Sequence, residues 1–371
     1  MKDSRLTRIG IAAPLTGRAG ALGRELVQAA SLAIAAANAA QNARFHFEAV
    51  IGDDAGDEQT GAAVARRFID DPALLGVIGH YNSNVTLAVA RLYDEARVPL
   101  IAPIVSNPKL TESGWSSVYR FTNRDDVTAA AIATHLVERL DKRRAAVIAA
   151  RTVYGRSMAD EFARAFARLQ GRVVRSDAVD EGETRFGPWV EALPSDIDVV
   201  FYGGTFEGAH IVKALRAHGK DVLFAAGDGC WDVANFLRPA GSAAMEGEGV
   251  LILSACPELG RVAGSAEFAH RYGQQYGEVI NYAVNAYDAT RLLMSAITEC
   301  ADSKPPVRAT AVEGVRAFSH RGIAYPNEVR WDSKGDNRAA VTALHVIRDG
   351  EYRQVAEYPR LHDVPAPSSE S

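Results

Sequence analysis

The chain has 371 residues, which is long for one hydrophobic core and suits two domains. Hydrophobic residues make up 47% and charged residues 23%, as is typical of a soluble globular protein. The formal net charge of −5 gives no electrostatic reason to expect a nucleic-acid partner. No apolar run in the sequence approaches the length that spans a bilayer, so we expect no direct membrane insertion.

The first eleven residues enter a strand pattern almost at once and show no apolar segment of the signal-peptide kind. Two cellular locations therefore stay open at this point. In the first, the protein remains in the cytoplasm. In the second, the chain is a mature exported form that carries a new initiator methionine.

The three cysteines, Cys230, Cys256 and Cys300, are too few for a disulfide scaffold and too scattered for a zinc site. We expect three buried reduced thiols, because a free cysteine behaves as a small hydrophobic residue. One disulfide plus one free thiol is the alternative.

Short strand patterns alternate with Ala-rich helical patterns in the first part of the chain. Strands are expected at 8–13, 45–51, 75–78 and 99–103, and helices at 26–35, 59–69 and 83–95. This β-α-β-α order predicts a parallel sheet covered by helices on both faces.

The same alternation restarts near residue 126 and predicts a second parallel sheet of similar size. Its strands are expected at 145–150, 172–176, 198–202 and 222–226, and its helices at 126–139, 157–169, 186–192 and 207–218. After an apolar run at 247–253, helices are expected at 264–275, 283–299 and 308–317. Short strands are expected at 327–331, 343–347 and 352–355, with turn residues Asp349 and Gly350 between the last two. The fold class is therefore α/β.

The sequence contains no motif of a common catalytic or metal site. G-x-S-x-G, H-E-x-x-H and G-x-x-x-x-G-K-[ST] do not occur, nor does G-x-G-x-x-G after the first strand. The acidic stretch 53–58 is interpreted as a strand end followed by a helix start, where acidic side chains suit the helix dipole. The sequence thus predicts neither an enzyme nor a bound metal or cofactor.

Ligands of open α/β sheets bind beyond the carboxyl ends of the strands, so residues directly after each strand are candidates. Ser83 opens a helix whose unpaired N–H groups suit a carboxylate; the alternative is that Ser83 only caps its own helix. Ser106 and the carbonyl of Ile104 lie in a proline-bounded loop and suit an ammonium group; an ordinary turn is the alternative.

The loops that follow the second set of strands contain an aromatic residue and an acid. Tyr154 follows the strand ending near 150, and Thr205 follows a pair of glycines at 203–204. Asp228 stands between two glycines, which leaves its carboxylate open to a cation; an Asx-turn is the alternative. Donors in the first set and a carboxylate in the second together match the two charges of an amino-acid zwitterion.

Several of these segments occur in the order of a known family. They are Ile9-Gly-Ile-Ala-Ala-Pro-Leu-Thr-Gly, Val77-Ile-Gly-His-Tyr-Asn-Ser, Leu100-Ile-Ala-Pro-Ile-Val-Ser-Asn-Pro, Tyr119-Arg-Phe-Thr, Tyr154-Gly, Phe201-Tyr-Gly-Gly and Ala286-Tyr-Asp-Ala. From about residue 7 to 357 the chain resembles the type I periplasmic binding proteins of branched-chain amino-acid ABC transporters, in particular the leucine/isoleucine/valine-binding type.

The resemblance implies two Rossmann-like lobes joined by a three-segment hinge, with crossings near 121, 249 and 326. The N-terminal lobe would comprise 1–120 plus 250–325, and the C-terminal lobe 121–249 plus 326–360. Residues 361–371 would form a disordered tail.

The resemblance also implies roles. Ser83 would hold the ligand carboxylate, Ser106 and the Ile104 carbonyl would hold both ends of the zwitterion, Tyr154 would close over it, and Asp228 would pair with its ammonium group. The sequence departs from the family pattern at Leu22 and Thr205, where tyrosines are expected, and Asp228 replaces a glutamate. Smaller residues there indicate a neutral aliphatic ligand or a larger one, with Trp231 lining the extra space and Phe206 more readily a core residue.

The resulting expectation is a monomeric periplasmic protein that captures an amino acid and delivers it to the permease of an ABC importer. A cytoplasmic sensor of amides or amino acids with the same fold is the alternative. An enzyme is disfavoured, because no nucleophile–base pair is visible in the sequence.

Overall fold

The structure, a computed structural model, describes residues 5–41, 44–301 and 307–359. The expected disordered tail at 361–371 lies outside the described residues. The elements in chain order are β1 (Arg5–Ala13), α1 (Gly20–Asn38), β2 (Phe45–Asp53), α2 (Glu58–Asp70), β3 (Leu74–Ile78), α3 (Ser83–Glu95), β4 (Leu100–Ala102), α4 (Lys109–Glu112), β5 (Val118–Arg120), α5 (Asp125–Thr134), β6 (Arg144–Ala150), α6 (Val153–Arg168), β7 (Arg172–Val179), α7 (Gly187–Glu191), β8 (Val199–Gly203), α8 (Gly208–Ala217), β9 (Leu223–Ala226), α9 (Arg238–Ala240), β10 (Val250–Ser254), α10 (Ser265–Tyr276), α11 (Ala283–Cys300), α12 (Arg308–Ala317), β11 (Val341–Arg348) and β12 (Glu351–Pro359). A π-helical turn at His135–Arg139 continues α5, and short helical turns lie at Asp228–Cys230, Val233–Leu237 and Gly241–Met245.

The first sheet has five parallel strands in the order β2-β1-β3-β4-β5. Side chains alternate along each strand, so apolar residues point to both faces of the sheet, and helices pack on each face. Ile9 and Ile11 of β1 pack in a core with α1 and α11. The opposite face is closed by α2: a Cβ on Gly10 would lie only 2.7 Å from the ring of Phe68, so glycine lets this ring lie flat on the strand.

The second sheet has seven strands in the order β12-β11-β10-β9-β8-β6-β7. Its strands are parallel except that β11 runs antiparallel to both of its neighbours, β10 and β12. Val147 and Phe201 face α5 and α6, while Ile148 and Tyr202 face the opposite core. The rings of Phe162 and Phe201 stack with centroids 3.7 Å apart. The predicted class, two largely parallel sheets flanked by helices, is confirmed.

Two boundaries of the expected lobes differ from the strand pairing. Val250–Ser254 forms β10, which pairs with β9 in the second sheet, so the chain returns to the first lobe after residue 254 and not at 250. Tyr325, Val329 and Trp331 pack in the core that contains Ile9, so residues from 326 to about 340 belong with the first sheet. We therefore propose a division into 5–121 plus 255–340 and 125–254 plus 341–359.

The strand expected at 327–331 is wrong as a strand. Only isolated bridges occur there, between His320 and Val329 and between Trp331 and Asn337. The Trp331 ring packs on Tyr119 with centroids 5.0 Å apart, and its Nε1 donates to the carbonyl of Val315 at 2.7 Å. These side-chain contacts hold the segment in place without the backbone hydrogen bonds of a regular strand.

The thiols largely follow the expectation. Cys230 and Cys256 are buried and unbridged, and burial raises the pKa of Cys256 to about 12. Cys300 is only partly buried, because it lies at the last turn of α11, near the surface. Within the described ranges, none of the helices combines the length and apolarity required to span a bilayer.

Both sheets present a topological switch point to the same space. The strand order reverses between β1 and β3 in the first sheet and between β6 and β8 in the second. Loops that leave adjacent strands in opposite directions open a crevice at such a point. The segments after β3, β6, β8 and β9 all border one cleft.

Candidate functional site

A cleft of about 600 Å³ lies between the two sheets, within the size range of small-molecule sites. Its first-lobe wall includes Tyr81, Asn82, Ser83, Asn84, Ile104, Ser106 and Tyr282, and its second-lobe wall includes Thr152, Tyr154, Thr205, Phe206, Asp228 and Gly229. Six of the eight ligand-site residues predicted from the sequence are thereby brought together.

The N-terminus of α3 supplies the donors of the first-lobe wall. Asn82 is the N-cap, Ser83 is the first helical residue, and no side chain in the described structure caps this terminus. By contrast, α2 and α6 are capped by Asp57 and Thr152. Uncapped first-turn N–H groups at the cleft are the natural binding position for an anion. The alternative, that Ser83 serves only as a cap, is wrong.

The loop after β4 is fixed by a buried arginine that the sequence reasoning did not select. Arg120 donates from Nη1 to the carbonyls of Val105 (2.9 Å) and Asn107 (2.8 Å), on either side of Ser106. Its Nε donates to Asp336 at 2.7 Å, and both side chains are buried. Burial lowers the pKa of Arg120 despite this partner. The ion pair therefore positions Ser106 at the cleft wall.

Asp228 is the buried acid of the second-lobe wall, and 5% of its surface is exposed. The Tyr154 hydroxyl donates to its Oδ1 at 2.6 Å and accepts the Gly229 N–H at 2.8 Å. Burial raises the pKa of Asp228, because the loss of hydration outweighs the hydrogen bond that Tyr154 donates. The Asx-turn alternative fits the neighbouring Asp232 instead, which accepts from the N–H groups of Ala234 and Asn235.

A second buried acid, Asp125, stands at the start of α5, where the chain enters the second lobe. Ser157 donates to its Oδ2 at 2.6 Å, and its Oδ1 has no partner among the described residues. Burial and the charge of Asp228 raise the pKa of Asp125 to about 7. Two carboxylates near one another make this region favourable for a cation. No local pattern singles out Asp125, since an acid in the first turn of a helix is common.

Tyr282 is a further cleft residue that the sequence did not indicate. It precedes α11, is buried, and donates from its hydroxyl to the carbonyl of Asp228 at 3.2 Å. This hydrogen bond joins a first-lobe residue to the loop that carries the acid. No local pattern distinguishes Tyr282 from a core tyrosine.

Two predicted site residues lie outside the cleft. Leu22 is buried in α1 and borders a void of about 10 Å³ behind the cleft wall; the two spaces share Tyr81, Ile104 and Tyr282. Trp231 packs between His345 and Tyr352, with centroids 4.1 and 4.3 Å away, and so fills the second-lobe core.

Phe206 was expected in the core, but it lies at the cleft. Its side chain there is half-buried. It follows Thr205 after β8, at the switch point of the second sheet, where the loop turns toward the first lobe.

A cleft between two doubly wound lobes, with anion donors on one wall and a buried acid on the other, defines a ligand-capturing protein that closes on its ligand. The sequence profile of a family described as periplasmic binding protein matches residues 7–350. The chain therefore belongs to the periplasmic binding protein family.

Individual relatives agree over nearly the whole length. A protein of Brucella abortus (strain 2308) named Leu/Ile/Val-binding protein homolog 2 is 28% identical over 346 residues, covering 92% of this chain and 91% of the relative. A leucine binding protein from Thermotoga maritima MSB8 superposes with a TM-score of 0.85 at 24% identity, covering 95% and 99% of the two chains. A solute binding protein from R. palustris in complex with benzoate superposes with a TM-score of 0.84 at 16% identity, covering 97% and 98%. The last two share the fold with this chain.

Proposed function

We propose that this protein binds a free amino acid in the cleft and delivers it to the permease of an ABC importer. The observation that carries the proposal is the placement of buried Asp228 across the cleft from the uncapped N-terminus of α3. A zwitterion needs both features, since each of its charges loses water on binding and must gain a partner.

The ligand carboxylate would accept hydrogen bonds from the first-turn N–H groups of α3 and from the Ser83 hydroxyl. Its ammonium group would donate to Asp228, to the Ser106 hydroxyl and to the carbonyl of Ile104. Asp125 adds negative charge near Asp228. Tyr154 would cover the ligand while its hydroxyl holds Asp228 in position.

Binding would favour closure because the carboxylate contacts one lobe and the ammonium group the other. A ligand shifts an open–closed equilibrium only by its differential affinity for the two states. Contacts that bridge the lobes exist only in the closed state, so they supply this difference.

The family relation supports transport as the purpose of binding. The Brucella relative's name gives it branched-chain ligands and the Thermotoga neighbour's name gives it leucine. We accordingly infer a periplasmic, monomeric protein without catalytic activity, in preference to the cytoplasmic sensor, and a ligand that is a neutral aliphatic or larger amino acid. Because a protein of the same fold binds benzoate, ligands without an ammonium group belong in the test.

The test is a thermal-shift screen across the common amino acids, their amides and small carboxylates. A bound ligand raises the melting temperature by linkage, and at 100 times Kd the stabilisation is about 2.7 kcal/mol. We expect shifts with one or a few amino acids and none with carboxylates that lack an α-amino group. Stabilisation by such carboxylates alone would overturn the proposal. Asp228→Ala should remove the shift, whereas Glu181→Gln, another cleft carboxylate, should retain it.

A further inference from the structure

Arg18 reaches across the mouth of the cleft from the first lobe to the second. It lies in the loop between β1 and α1, and its Cζ is 5.6 Å from the centroid of the Phe206 ring. Nη1 lies 3.6 Å from Oε1 of Glu207. A Cβ built on Gly182 would lie 2.5 Å from Nη2, so a side chain there would displace the guanidinium.

These contacts fix the guanidinium without engaging its N–H donors. The stacking on Phe206 uses its face. The separation of 3.6 Å from Glu207 exceeds the normal length of a hydrogen bond. Glu207 already accepts the Gly182 N–H at 2.6 Å and the Tyr202 hydroxyl. Within the described residues Arg18 donates no hydrogen bond, so the N–H groups of its planar guanidinium are available at the cleft.

The exposure of the lining residues places Arg18 at the outer end of the site. Asp228 and Ser83 are 5% and 6% exposed, whereas half of the Arg18 side chain is exposed. An amino acid whose backbone groups contact Asp228 and Ser83 would direct its side chain toward the less buried part of the cleft. Arg18 and Phe206 are the groups it would meet there.

Arg151 is the other arginine of the cleft, but its charge is already matched. Its Nη1 donates to Asp180 at 2.9 Å. Two acids, Glu58 and Glu181, also line the outer part. Arg18 differs from Arg151 in that none of its N–H groups makes a hydrogen bond to the residues that the structure describes, so its full set of donors is available to a ligand.

We propose that Arg18 is a specificity-determining residue that donates hydrogen bonds to an oxygen at the end of the ligand side chain. The cleft would then prefer amino acids with a side-chain carboxylate or carboxamide over purely aliphatic ones of similar size. Phe206 would pack on the apolar stem of such a side chain. This inference rests on the proposed function, since it requires an amino acid bound through Asp228 and Ser83.

A purely conformational role for Arg18 makes a different prediction. If the guanidinium only joins the lobes by its contacts with Phe206 and Glu207, its loss weakens the closed state for every ligand alike. A role in specificity weakens only ligands with a side-chain oxygen. The difference between ligands separates the two roles.

The experiment is isothermal titration of the intact wild-type chain, Arg18→Met and Arg18→Lys with glutamine, glutamate and leucine. Arg151→Met is the matched control. We expect the wild type to bind glutamine, glutamate or both more tightly than leucine. Arg18→Met should weaken these ligands by about tenfold or more, the scale of a charge-assisted hydrogen bond, and leucine by less than about threefold. Arg18→Lys should weaken them less than Arg18→Met, and Arg151→Met should preserve the preference.

Equal weakening of all three ligands by Arg18→Met would overturn the specificity role. The same holds for a wild type that binds leucine most tightly and is unaffected by the substitution; the proposed amino-acid function then stands. A wild type that binds none of the three ligands contradicts this inference; the proposed function falls only if the screen across the common amino acids also finds no ligand.

Discussion

The affinity for the amino acid should fall as the pH drops below neutrality. Protonation of Asp125 or Asp228 removes negative charge that attracts the ligand ammonium group. Burial and the nearby charge of Asp228 raise the pKa of Asp125 to about 7. An ammonium group between the lobes favours the ionised form of both acids and lowers this pKa. Ligand binding therefore releases a proton when the pH is near or below 7.

The magnitude follows from that pKa. If only the deprotonated pair binds, the apparent Kd rises by the factor 1 + 10^(7 − pH). The factor is about 1.1 at pH 8, about 2 at pH 7 and about 11 at pH 6, so affinity falls roughly tenfold from pH 8 to 6, or about 1.4 kcal/mol. At pH 7 about half a proton should be released for each ligand bound.

Calorimetry measures both quantities. Titrations at pH 6, 7 and 8 give the affinity, and titrations at one pH in buffers with different ionisation enthalpies give the number of protons released. Asp125→Asn removes the titrating group and should flatten the profile. A wild-type affinity that is constant between pH 6 and 8, or an Asp125→Asn variant that keeps the full slope, would refute the reasoning.

Three further substitutions test the framework around the cleft. Buried Glu25 accepts hydrogen bonds from the backbone N–H groups of residues 280, 281 and 283. Glu25→Ala should therefore lower the free energy of unfolding in urea by at least about 2 kcal/mol, because each buried donor left unpaired costs roughly 1–3 kcal/mol. An unchanged urea midpoint would contradict this expectation. Arg120→Met removes one of the two arginines that pair with buried Asp336 and leaves the carbonyls of Val105 and Asn107 without its hydrogen bonds. We expect a loss of roughly 1–3 kcal/mol in the free energy of unfolding, and an unchanged urea midpoint would argue against a structural role for Arg120. Ser83→Ala should weaken amino-acid binding by about 3- to 10-fold, the effect of one hydrogen bond, while the first-turn N–H groups of α3 remain; wild-type affinity in calorimetry would exclude a role for the hydroxyl.

The sequence predicts the architecture well because the alternation of apolar runs reports local geometry directly. Predicted strands such as 45–51 and helices such as 83–95 lie within the observed elements. The division into lobes is harder to predict, since β10 and the segment 326–340 carry no local signal of which sheet they join. Trp331 shows the reason: its ring partner, Tyr119, lies in β5, far earlier in the chain.

The same distinction holds at the site. Ser83, Ser106, Tyr154 and Asp228 could be predicted because each directly follows or closely succeeds a strand whose end is visible in the sequence. Tyr282 reaches the cleft from the segment before α11 in the other lobe, and Asp125 lies near Asp228 at the start of α5, so only the folded chain brings these residues together. Trp231 was misplaced for a related reason, because its core partner His345 lies in β11, more than a hundred residues later.

The central claim is that Asp228 recognises the ligand ammonium group, and the most direct measurement is a double comparison by calorimetry. Wild type and Asp228→Asn are titrated with the bound amino acid and with its analogue that lacks the α-amino group. We expect the wild type to favour the amino acid by roughly 1.5–3 kcal/mol, and Asp228→Asn to lose most of that preference. An equal preference in the two proteins would contradict the claim.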